Sequence, residues 1–335
     1  MSQTILVTGG AGYIGSHTCK LLSERGYTPV VYDNLVYGHE HAVKWGPLEI
    51  GELEDRERIS AVFEKHKPMA VIHFAAYAFV GESVENPSKY YANNVGGTLS
   101  LLDAMRDAGV DKIVFSSTCA TYGVPKDLPI KETTPQAPIN PYGRTKLIIE
   151  HALADYARAY GLGYVALRYF NACGADKDGE IGEEHDPETH LIPRTLMAIG
   201  GEIEKLQVFG TDYPTPDGTC VRDYIHVEDL ARGHLAALDH LFAGKPSDAF
   251  NLGSGVGISV KEIIDAVERI TGQKLPLEYG DRRPGDPPTL TADVTKAREV
   301  LGFETTTSDV DTIIETAWAF YQNTQARKHN TPDRD

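Results

Sequence analysis

The chain has 335 residues, of which 41% are hydrophobic and 24% charged, and its net charge is −16. This balance excludes a disordered or collagen-like chain, and the acidity excludes a general binder of nucleic acid or of an anionic membrane. Four dispersed cysteines (Cys19, Cys119, Cys173 and Cys220) form no Cys-x-x-Cys pair, so neither a disulfide framework nor structural zinc is expected.

Ile5, Leu6 and Val7 read as a first buried strand, with no room before them for a signal peptide. No apolar run approaches a membrane span. A cytoplasmic protein is expected. Further apolar runs at 30–32, 70–74, 112–115 and 164–167 read as buried strands. Helical patterns lie between them. Ile59, Val62 and Phe63 share one face, Val95, Leu99 and Leu102 another, and 142–160 is long and rich in Ala and Leu. Such alternation predicts right-handed crossovers and a parallel sheet covered on both faces.

The expected fold is therefore α/β: a Rossmann-type doubly wound parallel sheet over residues 1–180, then a smaller C-terminal α/β substrate lobe over 181–325. Part of that lobe, about 222–250, is expected to pack back on the first domain. The stretch 176–190 is polar and carries Glu180, Glu183, Glu184 and Asp186, and Glu183, Glu184, His185 and Asp186 read as a solvated charge run rather than a metal site. Ala231, Leu235, Leu238 and Phe242 mark one helix, and the capping box Ser259–Glu262 opens another. A last helix starts near Ser308, and 326–335 reads as a frayed polar tail.

Gly9, Gly12 and Gly15 directly follow the first strand and precede a helix. The first permits a tight turn, the second lets backbone approach a pyrophosphate, and the third allows close packing. Asp33 ends the second strand. A carboxylate there bonds ribose hydroxyls and repels a 2′-phosphate, which favours NAD over NADP. Two Tyr-x-x-x-Lys pairs occur. Tyr122 and Lys126 span Gly and Pro and read as a turn, whereas Tyr142 and Lys146 follow Pro141 at the start of the long helix and share a face. An ammonium there is expected to lower the phenol pKa. Thr118, at the carboxyl end of a strand, reads either as a cap or as a second hydroxyl at the same site.

Four stretches, Thr8 to Ser16 (TGGAGYIGS), Ser116 to Gly123 (SSTCATYG), Tyr142 to Lys146 (YGRTK) and Arg168 to Asn171 (RYFN), resemble the extended short-chain dehydrogenase/reductase family. The stretches 190–193, 208–215, 217–219, 221–227 and 250–253 look more specifically like its UDP-glucose 4-epimerase branch. The resemblance spans about residues 4–322. It implies a reversible inversion at C4 of a UDP-hexose through a transient 4-keto sugar, with NAD as cofactor and no metal. A homodimer built on helices near 88–107 and 142–161 is also implied. Tyr142 would be the acid/base, Lys146 its electrostatic partner and Thr118 an assisting hydroxyl.

The cofactor would be held by Gly9, Gly12, Tyr13, Ile14, Gly15, Asp33, Asn34, Glu52, Leu53, Phe74, Ala75, Ala76, Asn94, Ser116, Tyr142, Lys146 and Tyr169. The sugar nucleotide would meet Thr118, Tyr142, Asn171, His190, Leu191, Gln207, Phe209, Arg222, Tyr224, Arg283, Asp286 and Leu290. The arginines would supply local positive charge for a diphosphate in an acidic chain. Two departures stand out. Ala78 replaces a lysine found in some members, and Glu52 replaces the usual Asp. Leu290, smaller than the Tyr often present there, predicts side activity on UDP-N-acetylhexosamines. Related dehydratases carry Asp-Glu after the assisting hydroxyl; Cys119 and Ala120 stand there instead.

Overall fold

The computed structural model describes residues 3–283 and 286–330. Thirteen strands are labelled in chain order: β1 Thr4–Thr8, β2 Thr28–Asp33, β3 Leu48–Ile50, β4 Ala70–His73, β5 Lys112–Thr118, β6 Gly163–Tyr169, β7 Asn171–Cys173, β8 Leu206–Phe209, β9 Val221–His226, β10 Asp248–Leu252, β11 Gly257–Ser259, β12 Leu277–Gly280 and β13 Thr289–Leu290. Seven of them form one parallel sheet in the order β10-β6-β5-β4-β1-β2-β3.

Side-chain direction alternates along each strand, so each apolar run feeds two cores. Ile5, Val7, Val31, Ile72 and Val165 enter the cluster on one face, while Leu6, Val30, Val71, Ile113 and Ala166 enter the other. Covering helices on both faces follow, as parallel sheets require. The chain runs outward from β1 through β2 to β3, then returns to β4 and proceeds the other way. The strand order thus reverses between β1 and β4, and a crevice opens beyond their carboxyl ends.

Two segments from the second half complete this layer. Strand β10 pairs with β6, and the helix Val227–Phe242 packs on the helix Tyr13–Glu24. The rest forms a smaller body. In it β11, β9, β13 and β7 make one sheet and β8 pairs with β12. The helices Leu191–Ile199, Val260–Thr271 and Val310–Asn330 cover it. Ser259 and Glu262 make the capping box reciprocally. Asp223 is a buried knot: its carboxylate accepts from the backbone N–H of Ser254 (2.7 Å), Gly255 (3.1 Å) and Ala292 (3.0 Å).

Two expectations need correction. Leu99 does not share a buried face with Leu102: Leu102 is 1% exposed and Leu99 39%. The turn at Tyr91–Gly97 is a π-helix, and in the helix Thr98–Asp107 that follows, Leu101, Leu102 and Met105 form the buried stripe, with Leu99 beyond its edge. The polar segment from 326 is not a frayed tail through residue 330, because the last helix continues to Asn330. Tyr321 and Gln325 dock it by donating to Glu202 Oε1 at 2.7 Å each. Residues 331–335 lie outside the described residues.

Candidate active site

The glycine turn is built by backbone constraints. Gly9 adopts φ +71°, and a Cβ there would stand 2.6 Å from the Ala75 nitrogen. At Gly15 a Cβ would meet the Gly9 carbonyl oxygen at 2.2 Å, so the third glycine packs against the turn itself. Gly12 differs. Its nearest neighbour would be the Gly9 oxygen at 3.4 Å, and its open side faces the crevice at the N-terminus of the helix Tyr13–Glu24. Asp33, 7% exposed, accepts from Ala11 N–H at 3.0 Å and Leu35 N–H at 2.9 Å. Burial pushes its carboxyl above the usual range, and those backbone donors oppose the rise.

A cavity of about 480 Å³ runs from this turn to the end of β5. Its wall includes Gly9, Gly12, Tyr13, Ile14, Gly15, Asp33, Asn34, Leu53, Phe74, Ala75 and Ala76 at one end. At the other end stand Ser116, Thr118, Tyr142, Lys146, Tyr169, Asn171, His190, Leu191 and Tyr224. Ala78 is also on the wall.

Two residues expected at the cofactor stand outside it. Asn94 is wholly buried and spends its amide on Tyr77 N–H (2.9 Å), Tyr77 C=O (3.0 Å) and Thr145 Oγ1 (3.2 Å). It braces the loop after β4 to the long helix instead. Glu52 is exposed and accepts from Asn34 Nδ2 at 2.9 Å, just beyond the rim.

Pro141 and the Asn140 cap start the helix Pro141–Tyr160, and its first two turns present Tyr142 and Lys146 to the cavity. Thr118 ends β5; its hydroxyl caps the next turn by accepting from Ala120 N–H at 3.1 Å, and the residue lies on the cavity wall. Lys146, 2% exposed, donates to the Ser116 carbonyl at 2.7 Å, and its Nζ lies 6.0 Å from the centre of the Tyr142 ring. Burial lowers this ammonium to about 7, against a smaller opposing pull from Glu150.

The expected depression of the Tyr142 phenol is absent. Burial raises it to about 12, and only the Thr118 hydroxyl pulls it back. The physical reason is that the same desolvation weakens both charges of the pair. Behind them, Glu150 accepts from Arg168 Nη2 and Ser117 Oγ at 2.5 Å each, which anchors the helix to β5 and β6. The discarded pair behaves as a turn: Tyr122 is 1% exposed and donates to Asn251 Oδ1 at 2.7 Å. The Cys119 thiol is pushed up to about 12 by burial and is inert at neutral pH.

Gln207, Phe209, Arg222, Arg283, Asp286 and Leu290 are not on this wall. Arg222 and Leu290 lie on the paired strands β9 and β13, with Asp286 just before β13, while Gln207 and Phe209 lie on β8. Arg222 pairs with Asp286, and the Arg283 guanidinium lies 4.0 Å from the Phe209 ring centre. Gln207 is exposed on β8. Arg222 and Tyr224 alternate to the same side of β9, and Asn171 stands opposite Tyr224 in register. Leu290 packs against the buried cluster of Tyr122, Ile130, Phe170 and Ala292, of which Phe170 lines the cavity, so it lies behind the wall rather than on it.

The acidic segment is a solvated charge run at Glu180 and Asp186 but not at Glu183. The Glu183 and Glu188 side chains are 7% and 6% exposed and turn inward onto His185 and His190. Burial opposes a charge on His190, but Glu183 and Glu188 override it and push it up to about 10. Sequence reasoning also missed Tyr37 and Tyr77 on the wall, although Tyr77 follows β4 closely, where ligands of such sheets gather.

A parallel sheet that opens at its point of reversal onto a glycine turn on one side, with a tyrosine and a lysine on the other, defines a dinucleotide-dependent α/β enzyme. The sequence narrows that class. The chain belongs to the NAD dependent epimerase/dehydratase family, whose profile matches residues 5–253. It is 56% identical over 320 residues to the UDP-glucose 4-epimerase of Rhizobium meliloti (strain 1021), covering 96% of this chain and 97% of that one. The crystal structure of UDP-glucose 4-epimerase from Brucella ovis in complex with NAD is 61% identical, with a TM-score of 0.94 over 95% of this chain and 98% of that one. The UDP-Glc/GlcNAc 4-epimerase of Campylobacter jejuni is 41% identical, with a TM-score of 0.85 over 96% and 100% of the two chains.

Proposed function

We propose that this chain inverts C4 of UDP-galactose to give UDP-glucose, reversibly, with NAD as its resident cofactor. The observation that carries the reading is one cavity that joins the glycine turn and Asp33 to Tyr142, Lys146 and Thr118. Its residues fit the cofactor. Gly12 leaves a cradle that a Cβ would fill, at a helix N-terminus suited to phosphate, and the buried Asp33 carboxylate suits ribose hydroxyls. When bound, NAD supplies a reversible two-electron acceptor for the sugar's C4.

Tyr142 holds and moves the proton of the 4-hydroxyl, and Thr118 shares that oxygen. Because the phenol and the ammonium of Lys146 are buried together, a proton on Lys146 favours the phenolate, and loss of one charge disfavours the other. Ser116 C=O accepts from the Lys146 ammonium and holds it in place. Arg222, held by Asp286 on the face of β9 that carries Tyr224, and Arg283 over Phe209 meet the diphosphate. Firm grip on the nucleotide and few polar contacts around the hexose allow the keto sugar to turn between its two faces.

A dehydratase needs an acid and a base beside the assisting hydroxyl, and Cys119 and Ala120 occupy those places on the wall. Leu290, smaller than a Tyr and packed in the cluster behind Phe170, supports slower turnover of UDP-N-acetylhexosamines through a wall that can yield there. Exposed Val84, Tyr91, Leu99 and Ile148 on the helices spanning 80–107 and 141–160 support a homodimer through that face. Among the described residues no helix is long and apolar enough to cross a membrane, and we assign the enzyme to the cytoplasm.

The test is incubation with UDP-galactose and no added NAD. UDP-glucose should accumulate to equilibrium without net reduction of cofactor. A 4,6-dehydrated product, or no turnover with NAD demonstrably bound, overturns the reading.

A further inference from the structure

Glu183, His185, Glu188 and His190 stand in eight residues of chain just before the helix Leu191–Ile199, and the mechanism does not need this quartet as a unit. Each offers one ligand atom, and these atoms all lie within 4.8 Å of one another. His190 Nδ1 lies 2.9 Å from Glu183 Oε1 and 2.9 Å from Glu188 Oε1. His185 Nδ1 lies 3.4 Å from Glu183 Oε1 and 3.3 Å from Glu188 Oε2. Four ligands at about 2.1 Å from a tetrahedral centre would stand roughly 3.4 Å apart. The four His–Glu distances bracket that spacing, with Glu188 meeting the two imidazoles through different oxygens, and because all four ligand atoms lie within 4.8 Å, small side-chain rotations would close the set on one cation.

Burial strengthens the argument. Both carboxylates are more than nine-tenths buried and converge on the same two imidazoles, rather than turning to solvent as a surface ion pair does. Two carboxylates side by side in a poorly solvated place need two positive charges. Protons on the imidazoles supply them in one state, and a single divalent cation supplies them in another. The quartet also has an entry path. Glu183, His185 and Glu188 line a second cavity of about 250 Å³, and Glu183, His185 and His190 line the main one.

We propose that Glu183, His185, Glu188 and His190 form a binding site for a divalent transition-metal ion of the Zn²⁺ class. A set of two imidazoles and two carboxylates suits Zn²⁺ better than Ca²⁺ or Mg²⁺, which prefer all-oxygen shells. The site lies in the wall between the two cavities. A cation there clips residues 183–190 into one turn and fixes the approach to Leu191 on the cavity wall.

The test is calorimetric titration of Zn²⁺ into the chelator-treated, NAD-containing full chain at about pH 8, where imidazoles lose protons more readily. One saturable site per chain is expected. Glu188→Gln and His185→Gln should weaken it more than about 100-fold, beyond the loss typical of residues that only orient ligands. His151→Gln, at an exposed histidine elsewhere, should leave it unchanged. Co²⁺ gives a second readout on the unmutated chain: the intense visible absorption of four-coordinate cobalt, erased by Zn²⁺. This arm stands even where a variant does not fold. Absence of a saturable Zn²⁺ site, a site indifferent to both variants when they fold, or only the weak spectrum of six-coordinate Co²⁺ overturns the proposal.

Discussion

Replacing Gly12 by Ala separates cofactor binding from folding, because the three turn glycines differ in what a Cβ would meet. At Gly12 the nearest atom is the Gly9 oxygen at 3.4 Å, an ordinary contact, and the backbone (φ −83°, ψ 177°) suits any L-residue. Reduced freedom of the unfolded chain stabilises such a change by about 0.4–1 kcal/mol. Gly12 is also the helix N-cap, where Ala is poorer than Gly by a similar amount. The two nearly cancel, so Tm should move by less than about 4 °C.

The new methyl, however, occupies the cradle at the helix N-terminus. Overpacking costs about 1–3 kcal/mol, which is roughly a 5- to 150-fold loss of NAD affinity at 1.4 kcal/mol per decade. Gly15→Ala should behave differently. Its Cβ would stand 2.2 Å from the Gly9 oxygen and 2.8 Å from the Gly10 Cα, both backbone, so both stability and affinity should fall. The assay is NAD titration by fluorescence into cofactor-stripped protein, beside thermal unfolding without NAD. Wild-type NAD affinity in Gly12→Ala, or a Tm loss as large as that of Gly15→Ala, would refute the reasoning.

Lys146→Ala removes the cation that favours the Tyr142 phenolate, so the rising limb of the pH–rate profile should move to higher pH; an unchanged limb points to another base. Leu290→Tyr adds bulk to the cluster behind Phe170 and should suppress turnover of UDP-N-acetylglucosamine while sparing UDP-galactose. Equal loss of both would show that the residue does not set breadth. Burial lowers His17, His226 and His234 to about 4 and His73 to about 3. Their folded values lie below the unfolded value near 6.5, so the stability they contribute is present above about pH 6.5 and is lost as pH falls toward 4. Tm measured against pH should fall steeply through that window, and a flat profile between about pH 7 and 5 would contradict it.

What the sequence made legible is what local chemistry dictates. Continuous apolar runs identified β1, β2, β4, β5 and β6, since a strand buried on both faces needs them. The glycine turn, Asp33 and the Tyr142–Lys146 pair could be placed because their geometry is set by fixed spacing along one strand–turn–helix or one helix face. Features that depend on distant partners were not legible. Strand β3 carries Glu49, buried only because Arg58, Lys65 and His66 converge on it at 2.6 Å each. Glu183 looked like surface charge because nothing nearby in the chain shows that it turns inward. Arg222 was legible as a cation, but its partner Asp286 lies 64 positions away, and its place beside the cavity rather than on it follows from the pairing of β9 with β13.

The central claim, that Tyr142 moves the proton at C4, is tested most directly by Tyr142→Phe. The ring and its packing remain, so fold and bound NAD should match wild type by circular dichroism and cofactor content. Conversion of UDP-galactose to UDP-glucose should fall about 10²- to 10⁴-fold, the usual contribution of a general acid–base group. Near-wild-type turnover with NAD fully bound would contradict the account.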